Sequence, residues 1–194
     1  EQLPNNINLN YPLIIKPAYE DAGIGISEKS IVNNNIELKE QIKYVSSIYK
    51  QDLIIEEYIE GREFNIGLLG NTILPISEIC FTLPQNLPNI VSYEAKWSSE
   101  SIYYKGTMPK VPADISQNIK TLLTETALKA FNALQCKSYA RVDIRLSKNN
   151  IPYVIDINPN PDIMPDSGFA NSAKAAGIEY PELLHTILTL AKQE

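Results

Sequence analysis

Two stretches near the end of the chain, "SYARVDIRL" (138–146) and "IPYVIDIN" (151–158), leave it few ways to fold. They read as paired strands, whose side chains alternate between two faces. Asn149-Asn150 between them is a turn signal. A two-residue turn there pairs Lys148 with Ile151. Counting outward sets Asp143 opposite Asp156 and Arg141 opposite Asn158. Arg141, Asp143, Arg145, Asp156 and Asn158 then project from one face of a hairpin over 138–158. A longer turn shifts that register.

Two carboxylates facing each other across a sheet repel. A chain can hold them by raising one pKa, by pairing one with arginine, or by placing a cation between them. Asp143, Asp156 and the Asn158 amide oxygen form a hard-oxygen set suited to Mg²⁺ held together with substrate phosphates. A solvated polar face with an Arg–Asp ion pair is the plain alternative. Beyond Asn158, Pro159 and Pro161 stiffen the strand's exit.

The rest of the chain mixes strand and helix. Strands are predicted at Leu13–Lys16, 30–32 and 52–61, and a helix over 33–51 with Asn34 and Glu37 in a capping-box arrangement. Residues 62–83 read as β-rich, with a hairpin at Gly70-Asn71. Residues 84–112 read as a long loop with one or two short strands. The strongest helical pattern spans 113–136, with Ile115, Ile119, Leu122, Thr126, Ala130 and Leu134 near one face. Two more helices are expected at about 167–177 and 180–193. The order implies an α+β fold, with a break between lobes near Gly61.

Bulk properties exclude several functions. At 194 residues and 44% hydrophobic the chain can build one sizeable core or two small lobes. A net charge of −6 disfavours general nucleic-acid or anionic-membrane binding. No apolar run approaches the roughly 18 residues of a membrane span. The polar start "EQLPNNINLN" has neither a signal-peptide pattern nor an initiator Met, so the chain is expected to be a piece of a longer cytoplasmic protein. Cys80 and Cys136 read as buried thiols of a reducing compartment. With His185 as the single histidine, His-pair zinc sites and Ser-His-Asp catalysis are disfavoured.

Three further features suit a phosphate ligand. Lys16 ends an apolar strand and precedes a loop with Gly23 and Gly25, whose N–H groups could cradle phosphate. Glu56, Glu57 and Glu63 put acceptors at a strand tip, and Lys96 sits in "YEAKW". Each has a plain reading: hairpin glycines, an exposed acidic turn, a solvated lysine. Neither the Walker A pattern nor G-x-G-x-x-G occurs.

In order, "IIKPA", "EDAGIGIS", "IIEEYIEGREF", "LPISEI", "YEAKW", "YARVDIRL" and "DINPNPDIMPDSGF" resemble the ATP-grasp region of the D-alanine–D-alanine ligase family. The resemblance runs from about Pro12 to the C-terminal helices. It implies an α+β ATP-grasp fold with ATP between two lobes, the smaller over 1–60 and the C-terminal one over 61–194. It implies an ATP-dependent carboxylate–amine ligase passing through an acyl phosphate, with ATP and Mg²⁺ (or Mn²⁺) bound. Small amino acids or peptides would be its substrates, and a homodimer is compatible with it. The alternative is a non-catalytic nucleotide-binding module.

Carried over by motif, Lys16 and Lys96 contact ATP phosphates, and Ala22, Gly23, Ile24 and Gly25 form a flap over them. Glu56, Glu57, Tyr58 and Ile59 line the adenine pocket, with Glu63 on the ribose. Asp143, Asp156 and Asn158 are the metal ligands. Arg141 stabilises the acyl phosphate and the tetrahedral intermediate, and Ser167 binds the second substrate's carboxylate. The family's flap serines are absent, Trp97 replaces a tyrosine, Asp156 replaces a glutamate, and Asn160-Pro161-Asp162 replaces Ser-Pro-Gly. These departures leave D-alanine specificity open. The family's N-terminal substrate domain does not precede these motifs here, which implies weak ligation by this chain alone.

Overall fold

A computed structural model describes residues 8–192. The chain divides into two compact units. The first runs through Tyr58 and takes up Phe81–Thr107; the second comprises Ile59–Cys80 and the residues from Met108 onward. This differs from the expected 1–60 and 61–194, whose outermost residues also lie outside the described range. The segment that rejoins the first unit lies in the stretch with the weakest periodic signal.

In the first unit, β1 (Leu13–Pro17) is the middle strand of an antiparallel sheet between β2 (Ile31–Val32) and β3 (Leu53–Glu57). Leu13 and Ile15 point to one side and pack with Val32 and with Leu38 of α1 (Asn35–Tyr49). That periodicity leaves Ile14 and Lys16 on the opposite face. Asn34 caps α1, its Oδ1 accepting from the N–H groups of Ile36 and Glu37 at 3.0 Å each. The reciprocal arm reaches one residue further back than a capping box requires: Glu37 Oε2 accepts from the Asn33 N–H at 2.8 Å. Two short helices, α2 (Tyr93–Trp97) and α3 (Ile102–Lys105), occupy the region expected to be loop and short strand. Their cores are too short to give helical periodicity; serine caps at Ser92 and Ser101 define their starts.

The second unit is built on a sheet in the order β7-β6-β4-β8-β9, with β5 on the side of β4. These strands are β4 (Gly61–Leu69), β5 (Thr72–Ile73), β6 (Ser77–Phe81), β7 (Thr107–Lys110), β8 (Tyr139–Ser147) and β9 (Pro152–Asn158). Leu69 pairs with Thr72, so Gly70-Asn71 is the expected two-residue turn. Phe64, Ile66, Leu68, Val142, Ile144 and Leu146 bury one face against α4 (Gln117–Ala133). The buried line of α4 is Leu123, Ala127 and Phe131, about one position round from the expected stripe; Leu134 is exposed. The helix starts after the Ser116 cap and not at 113. Two final helices, α5 (Gly168–Ala175) and α6 (Tyr180–Ala191), form a second core with Leu69, Leu74 and Phe169. Position 193 of the last expected helix lies outside the described residues. Cys80 and Cys136 are free, and half-buried where burial was expected.

Candidate active site

The opposite face of the second unit's sheet is polar, and alternation explains why. If Phe64, Ile66, Val142 and Ile144 face the core, then Glu63, Asn65, Arg141, Asp143 and Arg145 face the other way. The β8–β9 pairing sets Asp143 opposite Asp156 and Arg141 opposite Asn158, as counted from the sequence. Two local features differ from that count and cancel. The loop spans Lys148–Asn150, with Asn150 at φ 58° and the Ser147 N–H donating to the Ile151 carbonyl at 2.9 Å. This shifts the register by one. A bulge then puts Ile144 opposite Val154 while Asp143 still meets Asp156. The extra residue restores the pairing and gives the hairpin a local bend at the carboxylates.

Arg141 grips Asp143 with both ends of its fork, Nε to Oδ1 at 2.7 Å and Nη2 to Oδ2 at 2.8 Å. Asn65, the register partner of Asp143 on β4, donates Nδ2 to Oδ1 at 2.7 Å. Of the three ways to hold the paired carboxylates, the arginine pairing is therefore in place. Burial is the largest influence on the Arg141 pKa and pushes it down. The charge and hydrogen bonds of Asp143, with the charges of Asp156 and Glu63, outweigh it and hold the guanidinium above its ordinary value. Beside this pair, Arg145 donates Nε and Nη2 to Glu63 Oε2 at 3.1 and 2.8 Å, and Nη1 to the Ile59 carbonyl at 2.9 Å. Glu63, expected at a ribose, is buried in this ion pair.

The start of α5 is tied to the same sheet. Gly67 pairs with Arg141, and a Cβ there would lie 2.9 Å from Leu74 and 3.2 Å from the Phe169 ring. The missing side chain admits Phe169, which also meets Tyr139 edge-on at 5.8 Å. Ser167 lies two residues earlier as the cap of α5, its Oγ accepting from the Ala170 N–H at 3.2 Å. Asn158 Oδ1 accepts from the Asn160 N–H at 2.9 Å, and the Tyr139 hydroxyl donates to Asn160 Oδ1 at 2.7 Å. The "NPNPD" exit is thus held by side chains as well as by its prolines.

In the first unit, Lys16 pairs with Glu56 on the sheet face away from α1. Glu57 Oε1 accepts from the backbone and side-chain amides of Asn10 at 2.8 and 2.9 Å. The Tyr58 hydroxyl donates to the Asn89 carbonyl at 3.0 Å. The loop Ala22–Gly25 sits against the start of α2. A Cβ at Gly23 would approach Tyr93 N to 3.1 Å, and the Tyr93 N–H donates to the Ile26 carbonyl at 3.4 Å. Residues some seventy apart in sequence, the glycine loop and the helix bearing exposed Lys96, are therefore neighbours. Among the proposed adenine residues, Glu56, Glu57 and Tyr58 belong to the first unit and Ile59 to the second.

Sequence reasoning missed Asn65. Its signal was present: one amide in "EFNIGLL", in phase with Glu63 and between core residues Phe64 and Ile66. No group of three or more His, Cys, Asp or Glu side chains is arranged to hold a metal among the described residues. Two carboxylates and an amide oxygen remain, a donor set that fits a hard divalent cation shared with phosphate oxygens.

The family model described as "D-ala D-ala ligase C-terminus" matches residues 3–189. An uncharacterized protein of Sinorhizobium fredii is 34% identical over 189 residues, covering 95% of this chain and 53% of that protein. A D-alanine–D-alanine ligase of Vesicomyosocius okutanii is 31% identical over 188 residues, covering 97% and 59%. Among solved structures, D-alanine–D-alanine ligase from Bacillus anthracis complexed with ATP superimposes at a TM-score of 0.78 with 27% identity, covering all of this chain and 57% of that one. The chain spans rather more than half the length of the curated relatives it matches.

Proposed function

Since this chain belongs to the D-ala D-ala ligase C-terminus family, with an ATP-grasp fold, we propose that it carries the nucleotide and metal residues of an ATP-dependent carboxylate–amine ligase. In that reaction a substrate carboxylate takes the γ-phosphoryl group of ATP, releasing ADP. An amine attacks the acyl phosphate, and an amide forms as phosphate leaves. Catalysis of this kind is positioning and charge neutralisation. The observation that supports the reading is the polar face of the hairpin, where Asp143 meets Asp156 and Arg141 meets Asn158.

Asp143, Asp156 and Asn158 would hold Mg²⁺ or Mn²⁺, which offsets phosphate charge when bound. Asp143 is oriented for this by Asn65 and Arg141. Arg141 keeps its charge at any working pH and would stabilise the acyl phosphate and the oxyanion of the tetrahedral intermediate. Lys16 and Lys96 would contact ATP phosphates, beneath N–H groups of Ala22–Gly25. Glu56, Glu57, Tyr58 and Ile59 would line the adenine site. Glu63, which Arg145 also engages, would serve the ribose. Ser167 retains its hydroxyl proton while capping α5, and so can donate to a substrate carboxylate.

Trp97 in place of tyrosine, a flap without serine, and Asp156 in place of glutamate support a substrate pair other than two D-alanines. ATP-dependent amide formation and two free thiols fit a cytoplasmic setting, and assembly as a homodimer fits the same reading. The test is phosphate release by the complete gene product with Mg·ATP and single D- or L-amino acids or dipeptides. A subset should stimulate release, and Arg141→Ala should abolish the stimulation. Release that no member of the panel stimulates, with nucleotide still bound, would instead mark a non-catalytic nucleotide module.

A further inference from the structure

Asn65 stands on β4 between Phe64 and Ile66, both fully buried, which fixes its side chain to the polar side of the sheet. There it lies in line with Asp143 and Asp156 on the next two strands. A carboxylate only accepts hydrogen bonds, so the Asn65 amide turns its donor to it, Nδ2 lying 2.7 Å from Asp143 Oδ1. Arg141 Nε reaches the same oxygen at 2.7 Å, and Nη2 reaches Oδ2 at 2.8 Å. An ionised carboxylate has roughly four lone-pair sites, shared equally by its oxygens. Oδ1 therefore has both of its sites taken, one by Asn65 and one by Arg141. Among the described residues Oδ2 keeps one open.

Asp143 thus has one oxygen to offer a cation, Oδ2, and the Arg141 fork bars it from chelating through both. Mg²⁺ demands a near-ideal octahedron and keeps several waters, so single carboxylate oxygens suit it. Ca²⁺ takes more oxygens, from carboxylates in either mode and in looser geometry. We propose that Asn65 is a positioning residue that, by saturating Oδ1, presents Asp143 to the metal through Oδ2 alone and fits the site to Mg²⁺ over Ca²⁺. Without the amide, Oδ1 regains an open lone pair and the carboxylate keeps a single anchor, on Arg141. Ligand number and flexibility are what separate the two cations, and both would then rise. Arg141 also has the acyl phosphate to serve in the proposed reaction, whereas the neutral Asn65 side chain bonds only Asp143 among the described residues. The inference rests on the reading of Asp143 as a metal ligand; the oxygen used and the cation preferred go beyond it.

The test is equilibrium dialysis of the complete gene product against labelled ATP at increasing Mg²⁺ or Ca²⁺, repeated on Asn65→Leu and Asn65→Ala. The first variant keeps the bulk of the amide without its donor; the second removes both. ATP bound without added cation shows that each variant is folded. The Mg²⁺ concentration giving half of the full increase in ATP binding should rise at least about tenfold in both variants. The Ca²⁺ midpoint should move less, so that the preference for Mg²⁺ narrows. A merely structural role would move both midpoints by one factor. Midpoints that move together, or a Mg²⁺ midpoint that stays in place, overturn the proposal. If neither cation changes ATP binding by the unaltered protein, the reading of Asp143 as a metal ligand falls, and this inference with it.

Discussion

Glu63 and Arg145 are among the most buried charges in the second unit, and they depend on each other. Replacing Glu63 by Gln leaves a guanidinium out of water without its counter-charge. That should cost about 3–5 kcal/mol, read from urea unfolding. Tyr103 gives a prediction of a different kind. Burial first, then the charges of Glu28, Glu94 and Tyr58, push its phenol from 10.0 up to about 12. Between those two values the unfolded chain has lost the proton while the folded chain keeps it. Stability should therefore fall as pH rises through that window. Tyr103→Phe should remove this part of the alkaline slope, and it sacrifices no hydrogen bond, because the hydroxyl has none. Denaturation midpoints across the alkaline range check both points. At this scale the sequence was informative where polar residues stand in phase. The Asp143–Asp156 pair could be counted out from the turn. The Arg141 fork on Asp143 was one of several open choices, since i and i+2 neighbours on a strand share a face without having to touch.

Among the elements, the glycine loop of the first unit is tightly constrained. At Gly25 φ is +77°, and a Cβ would lie 2.4 and 2.8 Å from Pro17 Cγ and Cδ. Gly25→Ala should cost about 1–3 kcal/mol from backbone conformation alone, and more from the clash. Gly168, at the first turn of α5, has open space around it and no positive φ. Gly168→Ala should be neutral or stabilise by about 0.4–1 kcal/mol. Thermal unfolding of the two variants separates the cases, which composition alone treats alike. The β8–β9 hairpin shows why a correct pairing can follow from an incorrect turn. The Lys148–Asn150 loop and the bulge before Asp156 shift the register by equal and opposite amounts. The pairing at the carboxylates is the same either way, and a bulge beside it leaves no mark in a period-2 pattern. Helix α4 was legible in extent to within a few residues, but its buried line runs through Leu123, Ala127 and Phe131, which tertiary packing selects over the neighbouring stripe.

For the molecule as a whole, alternation and capping made most strands and long helices readable, because one face of each is paid for by burial. The two short helices and the return of Phe81–Thr107 to the first unit were not readable. They rest on serine caps and on long-range packing of Ile90, Ala95 and Tyr103, which no local period announces. The candidate site divides in the same way. The hairpin carboxylates and Arg141 could be placed by counting, whereas the contact between the Gly23 backbone and the start of α2 needed the fold. The metal end of the proposed site belongs wholly to the second unit. Calorimetric titration of the chain with ATP, with and without Mg²⁺, tests that end most directly when repeated on the double variant Asp143→Asn with Asp156→Asn. Wild-type chain should bind Mg·ATP more tightly than ATP alone, and the double variant should lose at least about tenfold in Mg·ATP affinity. Mg·ATP binding undiminished in a folded double variant would contradict the assignment of the hairpin carboxylates as the metal site.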